Sequence, residues 1–359
     1  MRYRVLSAGF AVAALVALPA RVPVQGQTAA APGSKAPAGA AKRYTPPRTA
    51  FGQPDVQGVW ANNSATPLER LKEFGDRALL TDQEVARLRK RAGEIFGSGA
   101  DAAFGDDFFK AALTDDPTAA DRASRSFDKV TGNYSAVWLV ERDFDRRTSL
   151  VIDPPDGRIP PMTPEAEQRL KAATDRYGAP QAADGPEDRP LSERCITFGI
   201  PDTLGGYNSY YQIVQTPSYV ALLSERIHDV RIIPLGAGPH LPSNVRLWLG
   251  DSRGHWEGDT LVVDTTNFSS KSSFRGSDEN LHLVERFTRV SPTTINYEFT
   301  VEDRTVWTRP WTAMIPLKHS DDQIYEYACH EGNYALPGVL AGARLQEHAA
   351  AKSATKVSR

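Results

Sequence analysis

The sequence predicts a mainly β protein, built on an antiparallel sheet that forms either an up-and-down barrel or a β-sandwich, with a partly helical N-terminal extension. From residue 210 onward, apolar and polar side chains alternate with the two-residue period of a strand. The clearest run is residues 295–301, in which Ile, Tyr, Phe and Val alternate with polar residues. Short turns without helices join these runs, which predicts antiparallel neighbours.

The segments predicted as strands are short and closely spaced. They are residues 137–140, 148–152, 211–215, 219–224, 230–233, 246–249, 261–268, 281–290, 295–301, 305–307 and 324–329. This succession of strands favours a barrel or a sandwich over an α/β fold.

Residues 246–268, RLWLGDSRGHWEGDTLVVDTTNF, are predicted to form a complete β-hairpin at the centre of the domain. Its two ends, 246–249 and 261–268, have the period of strands. Gly250, Gly254 and Gly258 supply the positive φ angles that a chain reversal needs. Because an isolated hairpin is only marginally stable in water, we expect paired strands on both sides of it.

The first 26 residues have the order of a secretory signal. Arg2 and Arg4 precede an apolar run, and small residues follow at the cleavage position, which we place after Gly26, with Ala20 as the alternative. Residues 27–50 are rich in Ala, Pro and Gly, so we expect a disordered tether there. The sequence therefore predicts a periplasmic or secreted protein.

The rest of the chain divides into three parts. After the signal at 1–26 and the tether at 27–50, we predict a partly helical, irregular region at 51–190 that packs on the β domain. The antiparallel β domain follows at 191–340, and a weakly helical, mobile tail at 341–359. In the helical region, Thr81 and Glu84 form a capping box for a helix that ends at Gly97. A second helix begins at Pro164 and ends near Gly178.

The charge of the chain excludes a generally basic nucleic-acid binder. The chain has 42 Lys and Arg and 44 Asp and Glu, so the formal charge is −2, and loss of the signal with its three arginines brings it to −5. After the signal, no segment has the length and apolarity of a membrane span. Neither the oligomeric state nor a cofactor follows from the sequence.

The two cysteines, Cys195 and Cys329, are predicted to form a disulfide, because an even pair in an oxidising compartment is most simply bonded. The chain-entropy model gives roughly 4 to 5 kcal/mol for such a long loop, as an upper figure. Two separate buried thiols are the alternative interpretation.

Several segments resemble those of a large family of exported bacterial proteins that are usually described as hypothetical. They are RTSLVIDPPDGRIPPMTPEAE, YYQIVQTPSYVALLSERIHDVRIIPL, RLWLGDSRGHWEGDTLVVDTTNF and YEYACHEGNY. The resemblance covers most of the chain after the signal and implies export. The run W-x-G-D-T-L-V-V is also similar to hairpins of lipocalin-like (calycin) barrels, which implies a cavity for a small apolar ligand.

Two local patterns have a partial likeness to an esterase site and to a metal site. Gly250-Asp251-Ser252 is similar to the nucleophile block of SGNH esterases, but no histidine has an Asp three residues before it, so a turn serine is favoured. Adjacent His330 and Glu331 would point to opposite faces of a strand, and the histidines match no zinc spacing, so no metal site is predicted.

Both faces of the predicted strand 281–290 carry an ionisable residue: Glu285 lies on one face, and His282 and Arg286 lie on the other. Whichever face packs against the core therefore buries an ionisable group. A buried charge needs a partner, and both a functional site and a structural ion pair satisfy that need.

We predict a ligand site around the central hairpin. Its residues are Arg246, Trp248, His255, Glu257, Asp264, His282 and Glu285, and the candidate catalytic residues are His255, His282, Glu285 and His330. The predicted function is an exported β-barrel protein that binds a small, partly apolar molecule. The alternatives are a periplasmic hydrolase, lyase or isomerase acting on such a molecule, and a carbohydrate-binding β-sandwich.

Overall fold

We describe the protein from a computed structural model. It describes residues 44–97, 109, 112–113, 142–178, 183–203, 205–236 and 238–357. The predicted signal, residues 27–43 of the predicted tether and the predicted strand 137–140 lie outside the described residues.

Ten strands form one large antiparallel sheet, which confirms the mainly β prediction. The strands are β1 Gly58–Ala61, β2 Val151–Asp153, β3 Tyr210–Gln215, β4 Tyr219–Ser224, β5 Val230–Pro234, β6 Asp251–Glu257, β7 Thr260–Thr266, β8 His282–Ser291, β9 Thr294–Glu302 and β10 Trp311–Ser320. Their order across the sheet is β5-β4-β3-β1-β10-β9-β8-β7-β6, and β2 pairs with β10 beside this path.

The two end strands, β5 and β6, approach each other at one point. Leu235, just after β5, forms a parallel bridge with Gly254 of β6, and the amide of Gly236 donates to the carbonyl of Gly254 at 2.9 Å. A Cβ atom at residue 254 would lie 2.9 Å from the Leu235 side chain and 3.0 Å from that of Ile233. Glycine at this position therefore permits the close approach, although no continuous ladder closes the sheet.

The concave face of the sheet holds the core. Alternate residues of β9 are buried, as the sequence predicts for residues 295–301. Aromatic rings fill much of this space, because their large apolar area dominates burial in β cores. Trp60, Phe299 and Trp311 are each 0% exposed, and the rings of Phe287 and Tyr297 stack with centroids 4.7 Å apart.

The predicted central hairpin is wrong in its first strand. Residues 246–249 form no strand, and the stretch 251–257, which we expected to be the turn, is β6 itself. The reversal occurs at Gly258 and Asp259, between the paired residues 257 and 260. The sequence of β6 has the pattern of a turn because its outer face is polar and because glycines stand before, within and after it, although Trp256 on its inner face packs against the core.

The sequence does not predict β10, because it contains Pro316 and proline is disfavoured within a sheet. On one side β10 pairs with β9 along its length; on the other it pairs with β2 at residues 312–313 and with β1 at 318–320. The amide of Met314 points to this second side, where it donates to Leu150 at 2.9 Å. The backbone nitrogen of Pro316, two residues further along β10, lies on the same side, between the ladder with β2 and the ladder with β1. An N–H at this position would have no strand partner, so the sheet tolerates proline there.

Two other predicted strands are also wrong. Residues 305–307 form a turn, in which the carbonyl of Asp303 accepts hydrogen bonds from the amides of Val306 and Trp307 at 3.1 and 2.9 Å. Residues 324–329 belong to no strand. Trp307 is held by this turn and by an isolated bridge to Met162, whereas Tyr325 in the second segment is 73% exposed.

The α-helices whose bounds lie within the described residues are α1 Asp82–Gly97, α2 Pro164–Gly178 and α3 Ala335–Val357. The predicted capping box is confirmed: the Thr81 amide donates to Glu84 at 2.7 Å and the Glu84 amide to the Thr81 hydroxyl at 3.2 Å. Residues 341–357 of the tail predicted to be weakly helical lie within α3, residues 358–359 lie outside the described part of the chain, and the mobility of the tail stays a prediction. Across the described ranges, no helix combines the length and the apolarity that a membrane crossing needs.

The predicted disulfide between Cys195 and Cys329 is confirmed, with Cα atoms 5.7 Å apart and a sequence separation of 134. It joins the segment before β3 to the segment after β10. The side-chain amide of Asn333 reinforces this junction by donating to the carbonyl of Glu193 at 2.7 Å.

We expect replacement of both cysteines by serine to lower the free energy of unfolding by up to roughly 4 kcal/mol, because the unfolded chain then regains the entropy of a long open loop. Urea denaturation without reductant measures this. As the control, dithiothreitol is expected to destabilise the wild type by a similar amount and to leave the double variant unchanged. Equal stability of the oxidised wild type and the variant would contradict the expectation.

Candidate functional site

The interior of the curled sheet contains a buried ion pair between Arg231 of β5 and Glu285 of β8, which are 6% and 1% exposed. The Nη1 atom of Arg231 donates to Oε1 of Glu285 at 2.9 Å and Nη2 donates to Oε2 at 2.5 Å. β5 is an end strand and β8 lies near the other end of the sheet. Their side chains therefore meet only because the sheet curls.

Three hydroxyl groups complete this ion pair. Nη2 of Arg231 also donates to Ser252 at 2.9 Å and to Thr265 at 3.2 Å, and the hydroxyl of Tyr297 donates to Glu285 at 2.8 Å. A buried charge pair is tolerated when its remaining donors and acceptors are hydrogen-bonded. These contacts meet most of that requirement.

The protonation states follow from burial and from the neighbouring charges. Burial on its own would lower the pKa of Arg231, but the charge and hydrogen bonds of Glu285 outweigh it and raise the pKa above its usual value. Burial, with the charge of Glu285, also raises the pKa of Tyr297 well above its usual range. Tyr297 is therefore a neutral phenol that donates a hydrogen bond to Glu285.

A second buried ion pair lies beside the first. Nη2 of Arg226 is 2.8 Å from Oδ2 of Asp202, and the two side chains are 1% and 11% exposed. Tyr211 of β3 is hydrogen-bonded to Asp202, and its pKa is raised well above its usual range, first by burial and then by the charge of Asp202.

Asp229 is a further carboxylate of this region. Its Oδ2 accepts hydrogen bonds from the Thr197 hydroxyl at 2.6 Å and, more weakly, from the Phe198 amide at 3.4 Å. Burial raises its pKa, although the Thr197 hydrogen bond opposes the shift. We use the name inner polar cluster for Asp202, Tyr211, Arg226, Asp229, Arg231, Glu285 and Tyr297.

The connection between β4 and β5 is strained where it presents this cluster. Ile227 and His228 have φ angles of 53° and 49°, in the left-handed region that a β-branched residue such as Ile rarely adopts. They lie between Arg226 and Asp229, and both of these residues turn toward the same space. Strained backbone of this kind persists where its surroundings over-determine it, and it is common at functional sites.

An inner cavity adjoins the inner polar cluster, and an outer cleft lies on the far side of one of its walls. The inner cavity has a volume of about 30 Å³ and is lined by cluster residues and by apolar side chains that include Leu222, Leu249 and Leu317. The outer cleft has a volume of about 220 Å³ and includes Trp248 on its wall. Residues 198–200 line both spaces and so form the wall between them.

The predicted ligand-site residues occupy separate places. Glu285 lies in the inner polar cluster, and Trp248, 38% exposed, lines the outer cleft. Arg246 donates to the carbonyls of Phe268 and Glu279 at 3.4 and 2.5 Å, so it fastens two loops together. His255, Glu257, Asp264, His282 and His330 lie outside the interior. The structure thus does not bring the predicted set together.

The outer face of β6, β7 and β8 carries a row of histidines and carboxylates. Asp264 bridges two rings, with Oδ1 2.8 Å from Nε2 of His240 and Oδ2 2.8 Å from Nε2 of His282. The other ring nitrogen of His240, Nδ1, is 2.8 Å from Asp251. We use the name outer histidine row for His240, Asp251, Asp264 and His282. Among the described residues, no group of three such side chains has the arrangement of a metal site.

The other predicted residues are exposed. His255 lies 3.1 Å from Glu257 on the outer face, where the hydrogen bond from Arg286 is the main cause that lowers the pKa of Glu257. His330 lies in an exposed turn next to the disulfide. These positions suit solvated polar residues, and their proposed catalytic roles stay predictions.

Sequence reasoning missed most of the inner polar cluster. A signal existed for Arg231, a single charge within the apolar run VRII, because its period of two places it on one face with Ile233. Asp202, Arg226 and Asp229 lie outside the strands, where the sequence has no periodicity that indicates burial.

We expect Glu285→Gln to lower the free energy of unfolding by about 3–5 kcal/mol, because it leaves the charge of Arg231 buried without its counterion. The matched control is Glu257→Gln, which removes an exposed Glu–Arg pair at 2.7 Å and is expected to change stability far less, because solvent screens that pair. Urea denaturation measures both. The double variant Arg231→Met with Glu285→Leu is expected to recover most of the loss, and equal costs for the two single variants would refute the assignment.

Comparison with protein-family models, with curated proteins and with solved structures finds no match for this chain. Its function is therefore inferred from the chemistry of the inner polar cluster and of the two cavities beside it.

Proposed function

We propose that this chain binds a small, partly apolar molecule in the outer cleft and the inner cavity. The observation that carries the proposal is the inner polar cluster on the wall of a cavity that is otherwise apolar. Ligand sites combine apolar walls with a few convergent polar groups in this way. Burying two ion pairs and a further carboxylate costs free energy, and ligand recognition is a reason to retain them.

The volumes indicate how a ligand enters. A water molecule needs about 10–15 Å³ of cavity volume, so the inner cavity accepts roughly two water molecules and no larger molecule. The outer cleft accepts an aromatic ring or a short alkyl chain. Phe198, on the wall between them, is 41% exposed, so its ring can turn toward solvent. That rotation would join the two spaces and admit the ligand to the cluster.

We also propose that the protein is exported and that its curled sheet has the architecture of a barrel. Export is supported by the disulfide and by the signal-like first 26 residues. A barrel is supported by the bridge between Leu235 and Gly254 and by the contact of Arg231 with Glu285, both of which join strands from opposite ends of the sheet. The resemblance to exported bacterial proteins stays a proposal of the same kind.

An enzyme acting on this molecule is the second candidate. It is favoured by the strained backbone at Ile227 and His228 and by the raised pKa of Asp229 beside the cavity, since both features are common in active sites. If the active site is at the inner polar cluster, the outer histidine row has a structural role on the outer face. Mass spectrometry of a bound compound after incubation distinguishes the two candidates, because only an enzyme returns it chemically changed.

We expect Leu249→Trp, which fills the cavity, to weaken binding of the tightest compound from a library of small amphiphiles by at least about tenfold. Calorimetric titration measures the affinity. The matched control is Leu247→Trp, two residues away and 43% exposed, which is expected to bind normally.

The same titration tests the outer face. Asp264→Asn and His282→Gln are expected to retain binding if the ligand occupies the inner polar cluster. Loss of binding in these two variants, with normal binding by Leu249→Trp, would move the site to the outer histidine row and overturn the proposal.

A further inference from the structure

We propose that the bound molecule carries a protonated amine, which pairs with Asp229; this inference rests on the proposed function. The inner polar cluster has three carboxylates and two guanidinium groups. Arg226 pairs with Asp202 at 2.8 Å, and Arg231 pairs with Glu285 at 2.5 Å. Asp229 is the carboxylate that remains, and it forms no ion pair with any described residue.

The hydrogen bonds of Asp229 leave half of its carboxylate for a ligand. Both of its donors, the Thr197 hydroxyl and the Phe198 amide, bind Oδ2. Oδ1 accepts no hydrogen bond from the described part of the chain, and Asp229 is on the wall of the inner cavity. An ammonium group has three donors, which suits an oxygen with free lone pairs.

The electrostatics favour a cation over an anion or a neutral group. Burial disfavours the charged form of Asp229, and the nearby charge of Asp202 adds to that effect, while the hydrogen bonds from Thr197 and Phe198 and the charge of His228 oppose it. A cation in the cavity offsets both costs, whereas a ligand carboxylate would be repelled by Asp202 and Asp229. A neutral hydroxyl would gain a hydrogen bond without relieving the excess negative charge.

Aromatic rings around the cavity provide the second half of an amine site. Phe198, Tyr211, Phe287 and Tyr297 line it, and aromatic faces attract cations as well as apolar groups. The Phe198 ring already lies 5.3 Å from the guanidinium carbon of Arg226. The ligand class that fits the two spaces is a small primary amine whose ammonium group enters the inner cavity and whose apolar, ring-sized body occupies the outer cleft.

Calorimetric titration with three compounds that share one ring tests the inference. The compounds are 2-phenylethylamine, 2-phenylethanol and 3-phenylpropionate. We expect the wild type to bind the amine at least about tenfold more tightly than the alcohol, and the acid least of all. Asp229→Asn, which keeps the side-chain volume, is expected to remove this preference and to leave the affinity for the alcohol unchanged.

The control variant is Asp264→Asn, which removes an outer-face carboxylate and is expected to keep the preference for the amine. If the alcohol or the acid binds the wild type as tightly as the amine, or if Asp229→Asn keeps the preference, the amine inference is wrong while the binding site stands. If no compound of the amphiphile library binds the wild type, the proposed function itself fails.

Discussion

The ion pair between Arg231 and Glu285 is the interaction on which the interior of this protein depends. It joins an end strand of the sheet to a strand near the opposite end, so it forms only when the sheet is curled. Its desolvation requires the hydroxyls of Ser252, Thr265 and Tyr297 at fixed positions. These polar groups replace apolar side chains at the centre of the core, and the inner cavity lies beside them.

The segment 195–202 covers this centre and is attached to it at three points. Cys195 binds it to the C-terminal part of the chain, Thr197 binds Asp229, and Asp202 binds Arg226. Between the last two points, residues 198–200 form the wall that separates the outer cleft from the inner cavity. The cover is therefore fixed at its ends, and Phe198, whose side chain is 41% exposed, lies between these ends, where the proposed ligand would pass.

The fold was more predictable from the sequence than the site. Strands such as β9 bury one face, and this burial produces a period of two in the sequence. β10 was not predicted because it contains Pro316, and the gap between neighbouring ladders that tolerates this proline exists only in the assembled sheet. Glu285 was found because a charge among apolar residues of a strand is visible locally. Asp229 was missed because its burial depends on the cover formed by residues 195–202, which no local pattern records.

Solution NMR with methyl-labelled leucines tests the central claim that the ligand occupies the space beside the inner polar cluster. Leu222, Leu249 and Leu317 line the inner cavity, while Leu79 and Leu345 are 53% and 71% exposed and serve as internal controls. On addition of the tightest compound from the library, we expect shift changes at the three cavity leucines and none at the two controls. Changes confined to leucines outside the cavity would contradict the claim.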